Sequence, residues 1–291
     1  MVIGTENASL YPWQFGKHIF DWGQKTYIMG ILNVTPDSFS DGGQFNTLEA
    51  ALRQARHMIQ AGTDILDIGG QSTRPQATEV SLEEELERVI PVVRALRQET
   101  DMPISVDTTR AIVAEAAIAA GANLINDISG ATFDPEMLPI VAQAGVPIIL
   151  MHIRGTPQTM QQLTDYQDLI REIYTFLEQR VAAAIAAGIA QNRIAIDPGI
   201  GFAKTYPQNL EILRRLSEFR SLGCPILVGV SRKSFIGHIL NQPNPKERVW
   251  GTAAANCAAI AGAADIVRVH DVPETRDVCR VADAIWRSSL P

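Results

Sequence analysis

The sequence predicts an α/β fold, a (β/α)8 TIM barrel with a short N-terminal extension. Short apolar runs alternate with helical patterns along most of the 291 residues, which is the arrangement of parallel βαβ units. Most of these runs close on a polar residue of a type that does chemistry. In a closed parallel barrel, residues at the C-terminal ends of the strands converge on one mouth. Seven runs end in this way, on Asn33, Asp107, Asn126, His152, Asp197, Lys233 and His270.

The N-terminal extension is rich in aromatic residues set among polar ones. We expect it to form a short hairpin that closes the bottom of the barrel. The predicted division is therefore an extension at 1–25 and a barrel domain at 26–291. The aromatic residues are Trp13, Phe15, Phe20 and Trp22.

The barrel elements follow in regular order. Ser81 with Glu84 three residues later is a capping-box signature for the second helix. A doubly wound open sheet is the competing architecture, but neither GxGxxG nor GxxxxGK[ST] occurs in the chain. Eight strand–helix repeats match the count of a TIM barrel. Strands are predicted at 27–34, 64–68, 103–106, 123–128, 146–151, 193–196, 225–230 and 265–269. Helices are predicted at 47–61, 81–98, 110–120, 135–143, 169–187, 210–219 and 235–240 with 249–261, and a closing helix follows the last strand and ends at about 286.

Composition narrows the class of protein. A hydrophobic content of 46% can form a sizeable core, and 20% charged residues give no sign of extended disorder. The net charge of −7 and a pI near 5.3 argue against general affinity for nucleic acid or an anionic membrane. The three cysteines form no CxxC pair, and no apolar stretch approaches the roughly 20 residues of a membrane-spanning helix. With no secretory signal at the N-terminus, we expect a reducing, cytoplasmic setting.

Two early loops, 33–43 and 69–80, are longer than the roughly 2–6 residues of most βα connections and suggest lids over a site. Asn33 can offer an amide oxygen to a hard cation or bond an anion, or it can simply form a turn with its own backbone. Arg74 can grip a carboxylate or phosphate through two parallel bonds, or remain a solvated surface residue.

Asp107, Asn126 and Asp197 form the sharpest signal. A carboxylate at a strand end in a barrel mouth is partly desolvated, which costs energy unless a ligand or cation satisfies it. A carboxylate can accept two bonds from the edge of a pterin or guanine, and an Asn can read the adjacent edge. The same residues also suit magnesium, and Asp107 suits a helix cap as well.

The segment 231–234, with two cations and two hydroxyls at a predicted helix start, suggests an anion site. Alternation along a strand places Arg268 and His270 on one side, where both can hold phosphate, as barrels often do near strands seven and eight. A single His in a mouth can equally be structural, and this applies more to His152 than to His270.

Taken together, these segments resemble the dihydropteroate synthases of the pterin-binding barrel family. The first match, MGILNVTPDSFSDGG at 29–43, is highly specific. Gln71 and Gln76 depart from the Glu and Gly common at these positions, which bears on the dynamics of the second loop. The other matching segments are 69–75, 125–127, 197–202, and 231–235 with 268–271.

The resemblance implies an alkyl transferase of folate biosynthesis. It would condense 6-hydroxymethyl-7,8-dihydropterin pyrophosphate with p-aminobenzoate, release pyrophosphate and form 7,8-dihydropteroate. Sulfonamides would compete for the arylamine site, and the barrel would form a homodimer through its late helices. The resemblance places Asp107, Asn126, Met151, Asp197 and Lys233 at the pterin. It places Asn33 on a magnesium ion that carries the pyrophosphate together with Arg268 and His270. The p-aminobenzoate site would be lined by Thr73, Arg74, Pro75, Phe202, Lys233 and Ser234. Asp107, Lys233, Arg268 and His270 would serve the reaction itself.

Two other functions compete with this one. A corrinoid-dependent methyltetrahydrofolate methyltransferase of the same barrel family would bind pterin through a similar Asp and Asn set, without a grip on pyrophosphate. A non-enzymatic pterin carrier would bind pterin and release no pyrophosphate.

Overall fold

The centre of the protein is an eight-stranded parallel sheet. The computed structural model describes residues 10–35, 44–72 and 79–287. The strand order is β8-β7-β6-β5-β4-β3-β10-β9, with all neighbouring pairs parallel. A parallel bridge between Ile196 and Ile226 joins the two edges and closes the barrel. These strands are β3 (Tyr27–Asn33), β4 (Ile65–Gly69), β5 (Ile104–Asp107), β6 (Leu124–Asp127), β7 (Ile148–Met151), β8 (Ile194–Asp197), β9 (Leu227–Val228) and β10 (Ile266–Val269).

Helices surround this sheet, so the predicted TIM barrel is confirmed. The outward residues of the strands and the inner faces of the helices form one hydrophobic core. Within the described residues, no helix combines the length and apolar character needed to cross a membrane. The helices are α1 (Gln44–Ala61), α2 (Leu82–Glu99), α3 (Ala111–Ala120), α4 (Met137–Ala144), α5 (Leu169–Ala186), α6 (Tyr206–Arg214), α7 (Ser234–Ile239), α8 (Val249–Ala261) and α9 (Val272–Trp286).

A two-stranded hairpin covers the N-terminal end of the barrel. The strands β1 (Trp13–Phe15) and β2 (His18–Phe20) pair antiparallel. Their aromatic side chains join the lower inward residues of the barrel in a second core, separate from the helix-facing core. The Trp13 indole also donates a hydrogen bond to the carbonyl of Asn192, just before β8, at 2.6 Å. The hairpin therefore plugs the bottom of the barrel and leaves the mouth open for chemistry.

Strand alternation divides the barrel interior into an apolar floor and a polar mouth. On β6, Leu124 packs into the lower core, and Asn126, two residues later, belongs to the mouth. Arg268 follows Ile266 on β10 in the same way. Since side chains two residues apart point to the same face, β6 and β10 each contribute one floor residue and one mouth residue.

The structure departs from the predicted elements mainly around α6. The predicted helix spans 210–219, whereas α6 begins at Tyr206 and is followed by a 3-10 segment at Leu216–Leu222. Thr205 caps α6 in a full capping box with Gln208, and both reciprocal hydrogen bonds are present. This cap starts the helix one turn earlier than the apolar periodicity alone indicated.

Candidate active site

A buried ion cluster lies at the centre of the barrel mouth. Arg268 on β10 donates from Nε to Asp67 Oδ2 at 2.6 Å and from Nη2 to Asp107 Oδ2 at 2.7 Å. Asn126 donates from Nδ2 to the same Asp67 oxygen at 3.2 Å. Four different strands thus supply one connected network, and three of its members are among the predicted site residues.

Asp67 is the member that the sequence analysis missed. It lies within the apolar run of β4, fully buried, and its Oδ1 has no hydrogen-bond partner among the described residues. Asp67 precedes the end of β4 by two residues, so it is not one of the polar residues that close an apolar run. Alternation from Ile65, which faces the floor, would have placed Asp67 in the mouth.

Burial changes the proton affinities in this cluster. Desolvation raises the pKa of Asp107 to about 7, against the attraction of Arg268, which lowers it. Burial lowers the pKa of Arg268, but Asp67 and Asp107 more than offset this and the net shift is upward. Near neutral pH, Arg268 is therefore a fixed cation and Asp107 is poised between its two protonation states.

Asp197 and Lys233 define a second part of the mouth. Asp197, at the end of β8, accepts the Gly199 N–H at Oδ1 over 2.7 Å, and burial raises the pKa of its carboxyl. Lys233 donates from Nζ to the Ile200 carbonyl at 2.7 Å, and its Nζ lies 4.2 Å from the centre of the Phe202 ring. Burial lowers the pKa of Lys233 to about 8.

His270 lies beside Ser231 at the β9 and β10 edge of the mouth. The Ser231 hydroxyl accepts the His270 backbone N–H at 3.1 Å and lies 3.0 Å from Nδ1 of the ring. These contacts fix the imidazole two residues beyond Arg268 on the chain. The joint action of Arg268 and His270 on phosphate stays a prediction.

The prediction that both cations of 231–234 form an anion site is wrong. Arg232 has a left-handed backbone, with φ of +59°, and forms a two-pronged ion pair with Asp271. Its guanidinium is therefore committed to a carboxylate, and Lys233 alone faces the Asp197 loop. Helix α7 starts at Ser234, which is exposed.

The alternative of Asp107 as a helix cap is also wrong. The N-cap of α3 is Arg110, with no side-chain cap, and the first helical N–H, that of Ala111, is bonded by Asp134 Oδ2 at 2.8 Å. The carboxylate of Asp107 binds Arg268 instead. Asp107 therefore does not stabilise the start of α3.

Asn33 ends β3 beside this cluster. A Cβ built on Gly69 would lie 3.8 Å from both Asn33 Oδ1 and Asp107 Oδ2, so the two oxygens flank the same glycine. Among the described residues, no group of three His, Cys, Asp or Glu side chains is placed to hold a metal. Magnesium in proteins usually keeps several waters and takes only one or two protein oxygens together with substrate phosphates. One amide oxygen near a carboxylate fits this mode and does not fit an all-protein cage.

The remaining predicted residues fall into three groups. Met151 is buried in a small apolar cluster against which Phe202 packs, on the Asp197 side of the mouth. His152 lies in a buried pocket edge-on to Phe176, and burial lowers the pKa of its ring to about 2, so it is a neutral internal histidine. Thr73, Arg74 and Pro75 lie outside the described residues, as does most of the first loop.

The arrangement combines recognition groups with fixed charges. With all groups ionised, three carboxylates (Asp67, Asp107 and Asp197) face two cations (Arg268 and Lys233). Such a mouth can pair its carboxylates with the N–H edge of a flat heterocycle and its cations with an anionic leaving group.

Known proteins with the same fold carry the comparison further. Residues 29–270 match the family model described as "Pterin binding enzyme". A dihydropteroate synthase of Synechocystis sp. is 63% identical over 276 residues, covering 95% of this chain and 96% of that protein.

Two solved structures add to this. The dihydropteroate synthase of Yersinia pestis, in a sulfonamide drug complex, superposes with a TM-score of 0.89 at 45% identity, covering 96% of this chain and 100% of that one. The enzyme of Xanthomonas albilineans with 4-aminobenzoic acid superposes with a TM-score of 0.89 at 42% identity, covering 96% of this chain and 99% of that one. The chain belongs to the dihydropteroate synthase family of pterin binding enzymes.

Proposed function

We propose that this barrel mouth condenses 6-hydroxymethyl-7,8-dihydropterin pyrophosphate with p-aminobenzoate. The C–O bond between the methylene and the pyrophosphate breaks, a C–N bond to the arylamine forms, and the amine releases a proton. The products are 7,8-dihydropteroate and pyrophosphate. The observation that carries this proposal is the Asp67–Arg268–Asp107 cluster with Asn126, which sets carboxylates for a pterin beside a cation for its leaving group.

The pterin ring would lie across the buried carboxylates. Asp197 can accept two N–H bonds from the amidine-like edge of the ring, and Asn126 can both donate and accept beside it. Lys233 can donate to the ring carbonyl from its position over Phe202. Met151 would give the ring an apolar contact. An ionised Asp107 would oppose the positive charge that grows on the pterin as pyrophosphate leaves.

The pyrophosphate would lie at the β3 and β10 side of the mouth. Arg268 uses two of its N–H donors on carboxylates, and a guanidinium has five, so it can bind phosphate oxygens as well. His270 would add a further contact to the leaving group. Asn33 would hold a magnesium ion, which when bound supplies positive charge to the pyrophosphate oxygens.

The arylamine would enter above the pterin. Phe202 and Lys233, 4.2 Å apart, offer an aromatic face and a cation, which suit the ring and the carboxylate of p-aminobenzoate. We assign Thr73, Arg74, Pro75 and Ser234 to the same subsite on the strength of the family motif. Membership of the family implies that sulfonamides compete with p-aminobenzoate, and we expect this competition at the same subsite of this chain.

The experiment is a turnover assay of purified protein with the pterin pyrophosphate, p-aminobenzoate and magnesium. We expect pyrophosphate and dihydropteroate to appear in a one-to-one ratio, and both to be lost in Asp107→Ala or with EDTA. Pterin binding without either product would contradict the proposal and favour a carrier. Methyl transfer from a methylated folate to a corrinoid would favour the methyltransferase.

We further propose that the enzyme is a homodimer and works in the cytoplasm. Six of the thirteen large hydrophobic side chains exposed in the described residues lie at α7, α8 and α9. A concentration of apolar surface on adjacent helices is typical of an interface. All three cysteines are free thiols, which suits a reducing compartment. The six exposed side chains are Ile239, Leu240, Trp250, Val281, Ile285 and Trp286.

A further inference from the structure

The loop that follows β8 has an unusual backbone. Gly199 and Gly201 have positive φ angles of +72° and +83°, and Ala203 has one of +52°. The left-handed region is easily reached by glycine but is disfavoured for alanine, so something must hold Ala203 there. This loop carries Phe202, and it therefore shapes the subsite that we assign to the arylamine.

Two lysines bind alternate carbonyl groups of this loop. On the mouth side, Lys233 donates to the Ile200 carbonyl at 2.7 Å. Lys204 donates to the Phe202 carbonyl at 2.8 Å. The Lys204 side chain is almost wholly buried, and it directly follows the strained Ala203.

His152 contacts both Lys204 and the base of the loop. The Lys204 Nζ lies 3.1 Å from His152 Nδ1, within hydrogen-bond distance. The His152 backbone N–H donates to the Asp197 carbonyl at 2.9 Å, and its own carbonyl contacts the position that a Cβ on Gly199 would take. Only glycine fits at that point. His152 thus joins the base of the loop to the buried lysine.

We propose that Lys204 and His152 are positioning residues that hold the 199–203 loop in its left-handed path and thereby place the Phe202 ring for the arylamine substrate. This inference rests on the proposed function, because the arylamine subsite is part of it. Lys204 itself touches neither Asp197 nor the mouth through any hydrogen bond among the described residues. Besides its bond to the Phe202 backbone, Lys204 interacts electrostatically with Asp197 and Lys233, and the Kd for the pterin pyrophosphate separates this effect from the one on Phe202.

The protonation states suit this clamp. Burial lowers the pKa of Lys204 well below its ordinary value and that of His152 to about 2. A neutral His152 leaves one ring nitrogen as an acceptor, and the Lys204 amine retains N–H donors for the Phe202 carbonyl whether or not it is charged. The clamp therefore persists across neutral pH.

The test separates positioning from general stability by a split between two substrates. In Lys204→Met, which keeps the length and removes the donor, we expect the KM for p-aminobenzoate to rise about tenfold. The Kd for the pterin pyrophosphate, measured by calorimetry, should stay within about twofold, since Lys233 still holds Ile200. His152→Phe should shift the same KM in the same direction by a smaller factor, and Lys246→Met, at an exposed lysine, should shift neither.

A second variant tests the role of the backbone. If Lys204 holds a strained residue, adding Ala203→Gly to Lys204→Met should bring the KM for p-aminobenzoate most of the way back to the wild-type value. Glycine adopts the left-handed path without strain. An unchanged KM for p-aminobenzoate in Lys204→Met would overturn the inference. So would equal rises in that KM and in the Kd for the pterin pyrophosphate that Ala203→Gly does not reverse. A wild-type protein that makes no dihydropteroate would instead overturn the proposed function, so the two failures are distinct.

Discussion

We expect the chemistry of this mouth to depend most on Arg268. Its guanidinium is held by Asp67 and Asp107 from two different strands, so its position is fixed before any substrate arrives. A buried cation between two carboxylates needs no reorganisation when charge develops on a leaving group nearby. Asp67 therefore matters although no substrate contact is assigned to it.

Asp67→Asn removes one of the two charges that hold Arg268. We expect kcat/KM for the pterin pyrophosphate to fall about 10²-fold, since misplacement of a fixed group by about 1 Å can cost that much. The loss should appear in steady-state kinetics while the protein stays folded by circular dichroism. Asp101→Asn, at an exposed carboxylate, is the matched control. Unchanged kinetics in Asp67→Asn would show that Arg268 does not depend on this anchor.

The pH dependence follows from two shifted groups. Asp107 loses its charge as pH falls through about 7, and Lys233 loses its charge as pH rises through about 8. Because the proposed reaction uses the anion of the first and the cation of the second, kcat/KM should follow a narrow bell between these values. In Lys233→Arg the alkaline limb should disappear, because arginine does not titrate in this range. A profile that is flat from pH 6 to 9 would contradict both assignments.

Residue-level prediction from sequence succeeded for three side chains at the end of a strand or one residue before it, while His152, directly after β7, is buried against Phe176 instead. Asp107, Asn126 and Asp197 lie in the mouth because parallel strands all end on the same side of the barrel. It failed for Arg232, since nothing in the residue type announces a left-handed backbone that turns its side chain to Asp271. It also missed the buried pair of Lys204 and His152, whose contact depends on two loops meeting in space.

At the level of elements, the hairpin of β1 and β2 serves the barrel as a plug. Trp13, Phe20 and Trp22 pack on the floor residues that the strands point inward. The ring centres of Trp13 and Trp22 lie 5.1 Å apart in an edge-on contact. A barrel whose floor lacked this cover would expose a continuous apolar surface to water.

Trp13→Ala should therefore cost stability and not activity. Truncation of a buried Trp typically costs about 3–5 kcal/mol of unfolding free energy, and the lost bond to the Asn192 carbonyl belongs to the same change. Urea unfolding should show this loss, while kcat remains within about twofold because the hairpin lies at the opposite end from the mouth. Gln14→Ala, at the exposed neighbour, should change neither quantity. A large loss of kcat in folded Trp13→Ala would contradict the separation of floor and mouth.

Element boundaries were predictable where a capping signature was read and less so elsewhere. The Ser81 cap of α2 was predicted, and its side chain accepts the Glu84 N–H at 3.1 Å. The Thr205–Gln208 box at the start of α6 has the same spacing in the sequence and begins the helix ahead of the residues whose apolar periodicity predicts it. The two-residue length of β9 depends on barrel closure, which is a property of the whole sheet.

At the scale of the whole molecule, the apolar surface of α7 to α9 predicts self-association. Trp250 is 78% exposed and Val281 is 62% exposed, which is unusual for large apolar side chains. Sedimentation equilibrium should give twice the 31.8 kDa chain mass, and Trp250→Glu should shift it toward the monomer. Ile112→Glu, at an exposed apolar residue on α3, is the control. A wild-type monomer at micromolar concentration would contradict the proposed homodimer.

Taken as a whole, the mouth is proposed to bind a pterin at one end and its pyrophosphate at the other. Calorimetry with two ligands, the pterin pyrophosphate and the corresponding 6-hydroxymethyl pterin, tests this claim most directly. We expect Asp197→Asn to weaken both ligands about tenfold or more, which is about 1.4 kcal/mol for each factor of ten. We expect His270→Ala to weaken only the pyrophosphate form. Equal losses for both ligands in both variants would contradict the division of the mouth and the function built on it.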